Sequence, residues 1–319
     1  MLAGTALPAA AQMFQDPALD ALYAAERYGE LGRSGQQRLA AQPDDLQALL
    51  AAGIGALQQG DAARREAVIA QAEACVQRQP QAAVCHYTLG VVLGVHAASA
   101  GMFKLASSIG RVKGALQQAL ALAPQWHAAR GAVVEFYLLA PAMLGGGVDQ
   151  ARATAQAAPR PEQQRALLAR VALQDRQYEA ALAQLQTIQP GADSALAADI
   201  DAWTRGAAFG LVNERQPEKA RPTFERLRRE RPGLAIGHYG LGRVLSDTGA
   251  PEQALALYAQ AAALQGAEAL PLDHRIGIAL QQLGRNDAAR AALQRFVAAG
   301  KGPKANLDDA KQRLAQLGT

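Results

Sequence analysis

Side chains able to do chemistry are sparse in this sequence, and their spacing decides what chemistry they could do. The five histidines, His86, His96, His127, His238 and His274, never recur at H-x-x-x-H or H-E-x-x-H intervals. Those intervals put two imidazoles on one helix face, as a helical zinc site needs. No serine sits in the G-x-S-x-G turn that exposes a serine nucleophile. Cys85 and His86 are adjacent, but neighbours on a helix do not face one another, so a Cys/His enzyme would need a pairing made in three dimensions. Gly145-Gly146-Gly147 has neither the G-x-G-x-x-G interval nor a following Lys-Ser/Thr, which a phosphate loop requires. It reads as the end of a helix at Leu144 and a tight reversal into another at Val148. Glu218, Glu252 and Asp287 stand near the starts of predicted helices, where carboxylates favour the helix dipole and cap free amides. No metal, cofactor or catalytic residue is expected.

Cys75 and Cys85 are the only cysteines. Cys75 falls near the end of one predicted helix and Cys85 near the start of the next, with Pro80 in the turn between them. A helical hairpin brings such positions within the ~4.4–6.8 Å Cα separation a disulfide demands. A Cys75–Cys85 bond is therefore expected in an oxidising compartment, and two buried free thiols in a reducing one. The alanine-rich opening bears on which applies: Ala9 and Ala11 before Gln12 fit the A-x-A rule of a signal-peptide cleavage site, although a basic n-region is lacking and the apolar run is short. Residues 1–11 are read as a signal-peptide remnant or a disordered tail. The expected location is periplasmic or secreted, with the cytoplasm as the other reading.

The elements that must position these residues follow from composition. Half of the residues are hydrophobic but only 5% are aromatic, favouring helices packed through small side chains over sheets needing β-branched and aromatic ones. Lys and Arg total 32 against 28 Asp and Glu, with the signs interspersed, as on solvated helix faces. The densest basic run, Arg226-Leu227-Arg228-Arg229-Glu230-Arg231, contains an acid and no aromatic, so nucleic acid is not an expected partner. No apolar stretch approaches the ~20 residues that span a bilayer, and the chain is not expected to be membrane-spanning.

Punctuation supplies a repeat. Helix-ending Pro or Gly recurs at Pro43, Pro80, Pro124, Pro159, Pro190, Pro232, Gly266 and Pro303, at gaps of 31 to 44 residues scattered about a period of 34. In the clearest unit, Ala235 to Gly266, one helix carries His238-Tyr239-Gly240-Leu241-Gly242, a turn follows at Thr248-Gly249-Ala250-Pro251, and Ala254, Tyr258, Ala261 and Leu264 share a face of the second helix. The next unit repeats this with Gly277, Gly284, Ala289 and Leu293 in place of Gly242, Gly249, Ala254 and Tyr258. The preceding unit has Ala208, Ala220, Phe224 and Leu227, and Pro222 should kink its second helix or delay its start. Upstream, Val84 to Leu93 reads like Gly237 to Leu245, followed by about ten extra residues around Ser99 to Gly110. A second insertion spans Ala140 to Gly147. Before Pro80 only amphipathic helices at about 18–28, 30–41, 45–58 and 62–78 remain legible. A last helix at Asn306–Leu317, N-capped by Asn306, offers a polar outer face as a solenoid cap.

Residues 201–299 thus resemble the tetratricopeptide repeat family, in the Leu-Gly of the first helix, the turn Gly, the Ala opening the second helix and the Pro or Gly at its end. The resemblance implies an all-α fold, a right-handed superhelical solenoid of antiparallel helix pairs over residues 12–319, degenerate in its N-terminal half. It implies no catalysis and a ligand groove lined by exposed positions of the first helix of each pair. Carried onto the matching units these are Arg205, Phe209 and Asn213, then Tyr239, Arg243 and Asp247, then His274, Arg275, Ile278 and Gln282, with Tyr87, Val91, Glu135, Leu139 and Arg170 in the less regular units. Arginines mixed with aromatic and apolar side chains suit an extended protein or peptide of acidic character. The expected function is a non-enzymatic interaction scaffold. The alternatives are an enzyme with a cryptic Cys/His or carboxylate site and a structural subunit that polymerises.

Overall fold

Several helix starts in this protein are set by aspartates and prolines. The Asp16 carboxylate accepts the Ala18 and Leu19 amides and Asp61 accepts those of Ala63 and Arg64, satisfying donors that a helix leaves unpaired at its N-terminus. Pro161, Pro217 and Pro251 open their helices, where a missing N–H costs nothing. The computed structural model describes residues 13–58 and 61–318; the signal-peptide reading of residues 1–11 lies outside the described residues.

The chain resolves into two compact units. The first comprises residues 13–175 and 183–202, and carries α1 (Pro17–Ala24), α2 (Tyr28–Ala41), α3 (Leu46–Gln58), α4 (Ala62–Arg78), α5 (Ala83–Ser99), α6 (Met102–Leu122), α7 (His127–Leu139), α8 (Val148–Gln156) and α9 (Pro161–Gln174). The second comprises residues 176–182 and 203–318, and carries α12 (Pro217–Glu230), α13 (Ala235–Asp247), α14 (Pro251–Ala262), α15 (Leu272–Gln282), α16 (Asn286–Ala299) and α17 (Lys304–Leu317). Helices α10 (Tyr178–Leu185) and α11 (Ser194–Asn213) give residues to both.

Within pairs, a small residue on one helix receives a large one from the other. A Cβ added to Gly90, Gly242 or Gly277 would lie 2.6, 2.5 and 2.6 Å from Leu116, Tyr258 and Leu293 respectively, so the same seat recurs in α5/α6, α13/α14 and α15/α16. The α2/α3 pair is closer still, backbone to backbone: a Cβ on Gly55 would stand 2.4 Å from Gly32 Cα. Gly249 and Gly284 turn the chain between helices at φ of 86° and 70°, a left-handed conformation that costs a glycine little. Cys75 in α4 and Cys85 in α5 are buried, with Cα atoms 5.5 Å apart and their sulfurs joined.

Several local expectations are corrected. Helix α7 ends at Leu139 rather than Leu144, because Pro141 pushes Ala140 to extended backbone at ψ 138°. A 3-10 turn over Ala142–Leu144 and a left-handed Gly145 follow. Helix α12 runs unbroken through Pro222; the ring leaves only the carbonyl of the exposed Glu218 without an amide partner. Glu218, Glu252 and Asp287 do not cap. They sit in first turns and pair with Arg221, Arg285 and Arg290. The last helix begins at Lys304, so Asn306 lies inside it.

Candidate partner-binding face

In the second unit the first helices of successive pairs, α11, α13 and α15, are tied together by side chains that include several of those singled out by register, together with Ser246. Arg243 Nη2 donates to Asn213 Oδ1 at 2.9 Å, carrying α13 back onto α11. Its guanidinium lies 5.5 Å from the centroid of the Phe209 ring, a cation–π contact. Phe209 continues into an aromatic seam, 4.8 Å from Phe224 and 5.9 Å from Tyr239, which is 6.0 Å from Tyr258. On the far side of α13, Ser246 Oγ donates to Gln282 Oε1 at 2.8 Å, and Gln282 Nε2 returns a bond to the Ser246 carbonyl at 3.3 Å. His274 opens α15 with Nε2 2.6 Å from Asp309 Oδ2, which also accepts from Arg313 Nε at 2.8 Å.

These contacts divide the ten positions. Asn213, Asp247 and Gln282 are exposed, and Arg205, Phe209 and Arg275 are half-buried. Tyr239, Arg243, His274 and Ile278 are buried, holding the helices together beneath that surface. Burial, and then the like charge of Arg275, hold Arg243 below the ordinary arginine range. Burial also lowers His274, against the opposing pull of the Asp309 hydrogen bond. Although burial pushes Asp309 upward, bonds from Arg313 and His274 hold its carboxyl below 3.8. Arg243 Nε, Arg275 Nε and Tyr258 Oη are buried without a hydrogen-bond partner in the protein.

In the first unit the corresponding positions serve different ends. Arg170 forks onto Glu135 at 2.6 and 2.8 Å. Tyr87 packs on Trp126, ring centroids 4.7 Å apart, and burial drives its phenol far above the usual range, helped by Asp199. Asp199 itself stands 2.9 Å from His127 Nε2. Trp126 and Asp199 escape a reading of the sequence because both precede or follow the repeat positions that can be counted; Asp309 and Arg313 escape it because the last helix lies outside the repeat. Among the described residues no cluster of His, Cys, Asp or Glu could hold a metal ion, and no helix is long and apolar enough to cross a membrane.

No family model matches the sequence, and no curated protein matches it. Solved structures do. The chain is similar to one in the APC/C hetero-tetramer Cut9-Hcn1, with TM-score 0.54 and 14% identity over 95% of this chain and 55% of that one, so it spans about half the length of that relative. It is also similar to human IFIT1, solved as a dimer with PPP-AAAA, with TM-score 0.57 and 12% identity over 92% of this chain and 70% of that one. A tetratricopeptide repeat protein from Parabacteroides merdae matches at TM-score 0.47 and 13% identity over 86% of this chain and 99% of its own. At such identities what is shared is the fold: the chain is an all-α solenoid of the tetratricopeptide-repeat type.

Proposed function

We propose that this chain is a non-enzymatic scaffold that binds an extended protein or peptide segment of acidic character along α11, α13 and α15. The observation that carries the reading is the row of polar and aromatic side chains fixed by mutual hydrogen bonds, Asn213 to Arg243 and Ser246 to Gln282, beside half-buried Arg205, Phe209 and Arg275. Side chains already held in place lose little freedom on binding. The acidic preference rests on the half-buried arginines of that row, Arg205 and Arg275. A guanidinium at such a surface can fork onto a carboxylate. Both cysteines are committed to the disulfide, which withholds a thiolate from the Cys/His alternative and supports a periplasmic or secreted location.

The test is charge reversal on the accessible arginines. Arg243 is excluded because it holds α13 to α11. Arg205→Glu with Arg275→Glu should weaken recovery of partners by crosslinking in the native cell at least tenfold, with helical content unchanged. Reversal of Arg228 and Arg229, exposed on α12, should not. Equal losses from both pairs would refute the face, and turnover without a reproducible partner would favour an enzyme.

A further inference from the structure

The large hydrophobic side chains most exposed among the described residues are Phe103 at 97%, Met143 at 91%, Leu139 at 71%, Met102 at 64% and Val95 at 41%. All lie between residues 95 and 143, although the five come from four different segments. Geometry brings them to one edge of the first unit. Helix α6 has 21 residues and α7 has 13, or about 31 and 20 Å of helix at 1.5 Å per residue. The short turn over residues 123–126 pins the end of α6 to the start of α7, so the surplus length projects at the N-terminus of α6. Lys113 fixes the level at which α7 ends: its Nζ lies 5.6 Å from the Tyr137 ring centroid and 3.2 Å from where a Cβ on Gly145 would stand. Leu139 and Met143 therefore leave the helix layer near Lys113. Met102 and Phe103 stand roughly 15 Å further along α6, beside the end of α5.

The charge carried by α6 is one-sided, while the start of α4, which reaches the end of α5 through Arg65–Ser99, brings Glu66 beside His96. No Asp or Glu occurs between Glu73 and Glu135, while Lys104, Arg111 and Lys113 fall on α6 itself. The two bounding acids are engaged, Glu73 by Arg111 and Glu135 by Arg170.

We propose that this edge is an interfacial surface that seats the protein on an anionic membrane. The most exposed of these side chains, Phe103 and Met143, stand on two tips, the first turn of α6 and the turn after α7. A folded partner would need a pocket for each, whereas the headgroup–acyl boundary accepts isolated protruding side chains, and the lysines beside them meet anionic headgroups. The protein lies on the bilayer and does not cross it, consistent with the absence of any spanning helix among the described residues.

The experiment is flotation of the full chain with vesicles of phosphatidylcholine alone or with phosphatidylglycerol, at low and physiological salt. Association is expected with the phosphatidylglycerol vesicles only, and weaker in salt. Phe103→Ser with Met143→Ser should reduce it at least tenfold, and Lys104→Glu severalfold. All three residues are exposed, so melting should be unchanged. As an independent readout, a Phe103→Trp variant should shift its emission to the blue on phosphatidylglycerol vesicles. Absence of binding, equal binding to both vesicle types, or binding indifferent to these substitutions would overturn the proposal. So would a concentration-dependent oligomer that the serine variant abolishes, because the edge would then meet a second copy.

Discussion

The packing of small residues against large ones makes a prediction whose sign depends on geometry alone. Gly206 in α11 and Gly240 in α13 are both helical glycines of the second unit. Alanine at either gains the same intrinsic helix propensity, about 0.8–1 kcal/mol. A Cβ at Gly206 meets nothing within 4 Å, so Gly206→Ala should stabilise by roughly that amount. A Cβ at Gly240 would lie 2.1, 2.2 and 2.6 Å from Phe224 Cδ1, Cε1 and Cγ, against about 3.5–4.0 Å for a comfortable carbon contact. The ring cannot retreat, because Phe224 is fully buried with Phe209 4.8 Å away. Overpacking of this kind costs about 1–3 kcal/mol, which meets or exceeds the propensity gain. Since that gain is common to both, the variants should differ by the steric cost, about 1–3 kcal/mol. Repeat arrays can unfold in stages, so urea unfolding of the second unit is best followed through Trp203 fluorescence in a Trp126→Phe background, the two tryptophans lying in different units. Gly240→Ala as stable as Gly206→Ala would refute the packing argument.

Two further outcomes follow from the bond and the buried imidazole. Reducing Cys75–Cys85, which closes a loop of sequence separation 10, should lower the stability of the first unit by up to about 3 kcal/mol; intact mass after alkylation without reductant should show no modified thiol in protein from its native compartment, and two modified thiols would refute the bond. His274 is held below 6.5 by burial, so below that pH the unfolded chain takes up a proton that the folded second unit resists. Its stability should fall as pH drops from 6.5 toward the depressed value, and then level off until Asp309, held below 3.8, adds a second loss. His238 shifts the same way, so His274→Gln should lessen the first slope without abolishing it; an unchanged slope in denaturation measured from pH 7 to 5 would count against the assignment.

The fold was legible where the repeat uses residues that only one conformation favours. Gly249 and Gly284 mark left-handed turns, and with Gly242 and Gly277 they set the register of α13 to α16. The same turn recurs upstream without its marker. Arg215 and Arg176 take φ of 60° and 59°, and Glu26 takes 55°, conformations that cost a side chain roughly 1–2 kcal/mol. Tertiary packing imposes the turn there, so no residue type announces it, and the repeats fade from view while the helices persist. The prolines misled for the opposite reason. Pro222 follows the first turn of a helix on an exposed face and is tolerated, whereas Pro141 acts through its neighbour Ala140 and ends α7 five residues before the glycines that seemed to end it.

The candidate partner-binding face was only half legible, because register assigns a residue to a helix and a direction but not to a depth. Tyr239, Arg243 and Asp247 are successive turns of one stripe on α13, yet the first two are buried and the third is exposed. The difference lies in what stands opposite. Phe209 and Asn213 on α11 receive Tyr239 and Arg243, while α11 ends at Asn213 and offers no such partner to Asp247, one turn further along α13. Depth along a stripe is thus decided by where the adjacent helix stops. The rule holds for α6 as well, whose first turns outrun α7 and leave Met102 and Phe103 uncovered. In both places the chain exposes what its neighbour is too short to cover, a charged and polar row in the second unit and an apolar, basic edge in the first. A sequence can reveal these surfaces only through helix lengths, which are the features its repeat grammar specifies least.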